Sequence, residues 1–280
     1  MLEIPESHTI ARQMNETITG KVIKTVQANS SPHGFAFYFG DPKDYHDLLK
    51  GKKLEKVQAL SGQVEIIAED ARILFNDGIN IRYYADGDKI PEKHQLLIQF
   101  EDHSRLVCTV QMYGGLWAYP EGANDNPYYL AARDKISPLA DHFDRSYFHQ
   151  LFNQTKKNLS TKAFLATEQR IPGLGNGVLQ DILFNAGIHP RRKLETFSAR
   201  EVEGLYQSLK ETLAAMTARG GRNTEKDLFG NPGGYPTALS AKTWKDPCPQ
   251  CGSAIIRQAF LGGNVYFCPY CQPLEASIDI

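Results

Sequence analysis

Lys162-Ala-Phe-Leu-Ala-Thr-Glu-Gln-Arg-Ile-Pro-Gly-Leu-Gly-Asn176 is the stretch on which the reading of this chain turns. Apolar residues at helical spacing run from Thr161 to Gln169, the Ile171-Pro-Gly-Leu-Gly-Asn176 segment breaks the period, and a second helical segment continues to Asn185. Glycines in such a turn bring backbone N–H groups to the N-terminus of the next helix, which makes a cradle for an anion. Asn176 adds a side-chain donor to that cradle, Gly175 lets the backbone approach closely, and Lys162 lies one short helix upstream. The same glycines would serve a plain packing turn between helices, and the spacing alone leaves both readings open.

Outward from this stretch the chain changes character. Phe148–Leu151 and Ala199–Met216 also carry apolar residues at helical spacing, so the second half is expected to be helical. The first half shows one amphipathic segment, Ile10–Ile18, and then short β-rich runs at Val22–Val26, Phe35–Phe39, Val64–Ile67, Ile79–Tyr84, Leu96–Phe100 and Leu106–Met112. Turn residues separate these runs, which predicts a β-sandwich or barrel behind a leading helix. Residues 124–138 are polar and read as a linker, and the Gly/Pro/Asn-rich stretch from Gly220 to Pro236 reads as too polar to pack.

Four of the five cysteines form Cys248-Pro-Gln-Cys251 and, after sixteen intervening residues, Cys268-Pro-Tyr-Cys271. Two such knuckles set four thiolates around one tetrahedral Zn²⁺, with a hairpin between them turning at Gly262-Gly263-Asn264. A redox dithiol or a pair of disulfides is the alternative. With all four positions filled by protein, such a zinc is structural. The expected class is therefore α+β and multidomain: an N-terminal β-sandwich with a leading helix over 1–123, a linker over 124–138, a helical unit over 139–236 and a zinc hairpin over 237–280.

The run from Lys162 to Asn176, continued by Leu183-Phe-Asn-Ala-Gly-Ile-His-Pro190, resembles the helix-two-turns-helix motif of the formamidopyrimidine-DNA glycosylase and endonuclease VIII family of base-excision repair enzymes. Two further motifs agree with it: Leu2-Glu-Ile-Pro-Glu6 stands where the family begins Pro-Glu-Leu-Pro-Glu, and Cys268 to Gln272 matches its closing Cys-x-x-Cys-Gln. The resemblance spans the whole chain. It implies a clamp for double-stranded DNA in which a damaged base is everted into a pocket and its N-glycosidic bond is cleaved, with or without strand-cutting lyase activity. It also implies phosphate contacts from Lys162 and Asn176, and a loop over the everted base at Gly220-Gly-Arg-Asn-Thr224. Asp181 falls where members usually carry Glu.

Several positions depart from the family pattern. Leu2 replaces the proline whose amine attacks C1′, and so large a second residue should leave Met1 in place. The candidate catalytic groups are then Glu3 acting on water, the α-amine of Met1 or a lysine of the cleft in place of the proline amine, and Glu6 as a second acid. Gly263 stands where the family's hairpin carries Arg, and Gln63 where its sandwich carries Lys. Arg82-Tyr-Tyr-Ala-Asp-Gly87 replaces His-Leu-Gly-Met-x-Gly, and Gln111-Met-Tyr-Gly114 replaces the loop that wedges into the base stack, leaving Tyr113 as its candidate wedge. Arg191, Arg192 and Lys193 form the longest basic run, with Arg192 a candidate phosphate contact.

Composition narrows the remaining choices. Net charge is −1, from 31 basic and 32 acidic residues, which excludes a uniformly basic coat for nucleic acid. Residues 151–280 hold 15 basic against 11 acidic side chains, and residues 1–150 hold 16 against 21, so any DNA grip is expected on the second half. No apolar window approaches the ~18 residues of a membrane span, and the start carries acids and a proline in place of an export signal. A cytoplasmic, nucleoid-associated monomer is the expectation. A DNA glycosylase is the leading reading and a non-catalytic reader of distorted DNA the alternative.

Overall fold

The computed structural model describes residues 2–275. They fall into two compact units, the first of residues 2–133 with 220–234, the second of 134–219 with 235–275.

The first unit opens with helix α1 (Ile4–Ile18), in which Pro5 occupies the first turn, where its missing N–H costs nothing. Ile4, Ile10, Met14 and Ile18 are buried along one face. Strands follow as β1 (Ile23–Ala28) and β2 (Ala36–Phe37), then short helix α2 (Tyr45–Leu49), and β3 (Leu54–Leu60), β4 (Gln63–Ala68), β5 (Ala71–Phe75), β6 (Ile79–Tyr84), β7 (Leu96–Phe100), β8 (Arg105–Val110) and β9 (Gly114–Pro120). They form a four-stranded sheet in the order β1-β7-β8-β6 and a five-stranded sheet in the order β2-β9-β5-β4-β3. Val64, Ile66 and Ala68 alternate inward on β4 to meet Ile73, Phe75, Leu116 and Ala118 in one core, so this part is a β-sandwich with a leading helix.

Two expectations about loops are corrected here. The presumed linker contains helix α3 (Pro127–Asp134), whose Tyr129 hydroxyl donates to the buried Glu65 carboxylate at 3.0 Å. The stretch from Gly220 to Gly234 packs as a strap on the first unit. Leu228 is fully buried and its carbonyl accepts from Tyr83 N at 3.0 Å, while the Gln13 amide donates to Asp227 Oδ2 at 2.8 Å and accepts from Leu228 N at 3.0 Å. Asp227 Oδ1 satisfies the N–H groups of Phe229 and Asn231. A polar segment packs when its polar groups are paired and one apolar side chain plugs the core.

The second unit contains α4 (Arg145–Gln154), α5 (Thr161–Ala166), α6 (Asn176–Asn185), α7 (Ala199–Ala218) and the hairpin β10 (Ile256–Phe260) and β11 (Gly263–Phe267). Ser160 caps α5, and Ser198 with Glu201 forms a capping box at α7. Leu205, Leu209, Leu213 and Met216 make the inner stripe of α7, and Ser208 ties it to the Ile182 carbonyl of α6 at 2.7 Å. The hairpin turns at Leu261-Gly262, both with positive φ (47° and 73°), one to two residues earlier than its glycines suggested.

Candidate functional site

In the first unit the residues around the start of α1 form a buried ionic cluster. Glu3, the N-cap of α1 in extended conformation, is 2% exposed, Glu6 5% and Arg222 of the strap 2%. The Arg222 guanidinium grips Glu6 in a fork, Nε to Oε1 at 2.9 Å and Nη2 to Oε2 at 2.8 Å, and its backbone N–H donates to Glu6 Oε1 at 3.0 Å. Its Nη1 lies 3.4 Å from Glu3 Oε1. Burial opposes the charge on Arg222, but Glu3, Glu6 and Glu225 together raise its pKa above the ordinary arginine value. Gly221, beside it at φ +93°, brings its backbone to where a Cβ would stand 3.3 Å from Glu6 Oε1, a conformation and an approach suited to glycine.

Sequence reasoning placed Gly220–Thr224 on a loop over the base; the structure instead fixes Arg222 against both acids. Nothing in its Gly-Gly-Arg-Asn context distinguished a buried partner from an exposed loop residue. Asp77 was missed as well. It is exposed in the β5–β6 turn, yet crowding by neighbouring atoms that strips part of its hydration, and then the charge of Glu3, push its carboxyl up to about 7. The following Gly78 is obligatory, because at φ +76° a Cβ would lie 1.7 Å from the Tyr113 carbonyl oxygen. Tyr113 is 47% exposed, and its hydroxyl pKa is raised by burial and by the charges of Asp77 and Glu3.

Leu2 is 2% exposed and belongs to the sandwich core. The position that holds a nucleophilic proline in the resembling family is here an apolar anchor. Met1, the other expected nucleophile, lies outside the described residues. A cavity of about 480 Å³ in the same unit is lined by Asn80, Arg82, Tyr84, Gln111, Tyr113 and Lys226, among others.

In the second unit Gly175 is the N-cap of α6, and Asn176 begins the helix. Lys162 Nζ donates to the Phe260 carbonyl at 2.6 Å, and Asn176 Nδ2 to the Asn264 carbonyl at 2.9 Å. These two carbonyl oxygens flank the hairpin turn. The sequence's three features therefore converge: the lysine, the glycine turn and the hairpin meet at one point. Burial lowers the Lys162 pKa. Gly263 is there too, since a Cβ on it would stand 3.4 Å from Asn176 Nδ2. Gln180 completes the junction, donating to Asn264 O at 3.2 Å and accepting from Tyr266 N at 3.0 Å.

Arg192 is corrected as a phosphate contact. It is 4% exposed, paired to Glu201 at 2.6 Å and bonded to the Thr196 carbonyl at 3.0 Å, so its guanidinium serves the start of α7. Its neighbour Arg191 is the exposed one, stacked over the Phe260 ring at 4.6 Å.

The four cysteine sulfurs lie within 4.8 Å of one another, with Cys248 to Cys271 at 3.8 Å and Cys251 to Cys268 at 3.4 Å. A tetrahedron of ~2.3 Å metal–sulfur bonds has edges of about 3.8 Å, so this set fits one metal ion. Gln272 locks it to the helical part, accepting from Cys268 N at 3.0 Å and donating to Ile188 O at 2.9 Å. The fifth cysteine, Cys108, is fully buried on β8, and burial pushes its thiol pKa up.

Comparison with known proteins gives a consistent result. Residues 135–227 match the formamidopyrimidine-DNA glycosylase H2TH domain. Formamidopyrimidine-DNA glycosylase of Shouchella clausii is 26% identical over 98% of this chain and 99% of its own, and that of Cytobacillus firmus 25% identical over 97% and 100%. Among solved structures, the MutM (Fpg) protein of Thermus thermophilus superposes with a TM-score of 0.80 at 22% identity, covering 98% of this chain and 100% of that one. Lactococcus lactis Fpg, in complex with DNA containing N7-benzyl-Fapy-dG, superposes with a TM-score of 0.81 at 22% identity, over 97% and 99%.

Proposed function

Since this chain belongs to the formamidopyrimidine-DNA glycosylase family, we propose that it excises a damaged base from double-stranded DNA, with Glu3 activating water in place of the missing amine nucleophile. The observation that carries this is the Glu3–Arg222–Glu6 cluster, an ionic assembly beside the position where Leu2 has become core. Burying three charged side chains is costly unless function or pairing retains them. Glu3 takes a proton from water as its oxygen bonds to C1′, the C1′–N bond breaks, and the electron pair leaves with the base, which is then protonated. No covalent enzyme–DNA intermediate forms in this route.

The cavity in the first unit supports eversion of the base and a changed substrate. Its walls include Arg82, Tyr84, Gln111 and Tyr113, drawn from the two segments that depart from the family pattern. One cavity gathering both departures points to a retuned lesion specificity. In the second unit Lys162 and Asn176 would exchange the Phe260 and Asn264 carbonyls for phosphate oxygens, chemically equivalent acceptors. Cys248, Cys251, Cys268 and Cys271 would hold a structural Zn²⁺ that fixes the hairpin bearing those carbonyls.

A non-catalytic reader of distorted DNA is the second reading, favoured by Leu2 and by Gly263 in the position of a phosphate-binding arginine. Incubating the protein with duplexes carrying oxidised, alkylated and abasic sites separates the two. Free base from at least one duplex supports excision, whereas tight lesion binding without release from any of them supports the reader.

A further inference from the structure

We propose that Arg222 is the positioning residue of this site, holding Glu3 as an oriented carboxylate, and that the strap over residues 220–234 exists in part to deliver it. The proposal rests on the reading of Glu3 as the base.

The geometry distinguishes Arg222 from an incidental surface pair. It reaches Glu6 through two side-chain bonds and one backbone bond, and turns its remaining nitrogen to Glu3. Arginine suits this bridge because its planar fork spans two carboxylates and it stays charged when buried. Among the described residues, Asp77 on the β5–β6 turn and Tyr113 on the β8–β9 loop lie within electrostatic reach of Glu3, and Glu6 on α1 and Glu225 on the strap share Arg222 with it. Removing Arg222 should shift Glu3 toward its protonated form, since buried like charges disfavour ionisation and a nearby cation favours it. A protonated Glu3 is too weak a base to take the proton of an attacking water.

The strap is anchored well away from the acids. Leu228 in the core, Asp227 and Leu228 against Gln13, and the Tyr83–Leu228 backbone bond fix it to α1 and β6. The strap that carries Arg222 is thus held in part by contacts that do not depend on Glu3 or Glu6.

The test follows the carboxyl ¹³C signals of glutamate-labelled protein through a pH titration, with Glu3 assigned by its loss in Glu3→Gln. Arg222→Ala leaves two buried acids unpaired and risks misfolding, so the deciding comparison is Glu6→Gln against Glu6→Gln/Arg222→Met, which removes one charge of each sign. Both are checked for cooperative thermal unfolding. The Glu3 midpoint is expected to rise by at least one pH unit on adding Arg222→Met. Single-turnover base release at pH 7 should fall at least tenfold, its acid limb should move upward by the same interval, and Arg222→Lys should recover part of both. An unmoved Glu3 midpoint in the folded double variant overturns the proposal. If the wild-type protein releases no base from any duplex, the glycosylase reading fails while the titration still decides what Arg222 does.

Discussion

On the proposed mechanism Glu3 carries the residue-scale chemistry. Glu3→Gln keeps shape and hydrogen bonding but removes the base, so base release should fall by about 10²–10⁴-fold while duplex affinity stays within a few-fold, a pair of effects read by single-turnover kinetics and equilibrium titration. Asp77 provides a pH test with a defined sign. Its carboxyl is raised to about 7 in the folded protein, from ~3.9 in an unfolded chain. A raised acid pKa contributes stability that is whole below the unfolded value and is lost as pH climbs through about 7. Asp77→Asn stays neutral throughout, so its melting temperature should gain on wild type between pH 5 and pH 8; a difference that is flat with pH would contradict this. In the second unit Asn176→Ala should weaken duplex binding by roughly 0.5–1.5 kcal/mol with an unchanged salt slope, whereas Lys162→Ala should lower that slope by about 1. At this scale the sequence singled out Glu3, Glu6, Lys162 and Asn176 because each sits in a motif. It was blind to Arg222 and Asp77, whose roles come from long-range packing, and it misplaced Arg192, whose partner Glu201 lies beyond an intervening turn.

Among elements, the strap and the hairpin make the sharpest contrast between pattern and structure. Polar composition suggested that residues 220–236 would not pack, yet paired backbone and side-chain groups let Leu228 enter the core. Leu228→Ala should cost about 2–4 kcal/mol of stability, measured by urea unfolding, and should raise hydrogen exchange across the strap. The hairpin was legible because four cysteines at fixed spacing admit few geometries. Metal removal by a chelator should release one zinc per chain and melt the hairpin while the sandwich stays folded, and Cys268→Ser should do the same without chelator. Periodicity found α6 and α7 but passed over β3, β5, β9 and α3. Strand β5 carries a continuous Ile73-Leu-Phe75 run buried on both faces and β9 opens with two glycines, so neither shows the alternation that marks a half-exposed strand.

At the level of the whole molecule, charge is distributed as the sequence halves suggested. The strap carries Arg222 and Lys226 against Glu225 and Asp227, so assigning it to the first unit leaves that unit acidic and the second basic. The likeness to formamidopyrimidine-DNA glycosylases runs along nearly the full chain, and the departures from the family motifs include the N-terminal residue, the cavity wall, Gln63 and position 263. The central proposal is that this protein removes a base by Glu3-dependent hydrolysis. Its most direct test is single-turnover incubation of wild type and Glu3→Gln with a panel of damaged duplexes, each with and without borohydride. The account predicts free base from at least one duplex, at least 100-fold slower with Glu3→Gln, and no protein–DNA adduct trapped by the reductant. Release that is undiminished in Glu3→Gln, or a stable adduct formed during release, would contradict it.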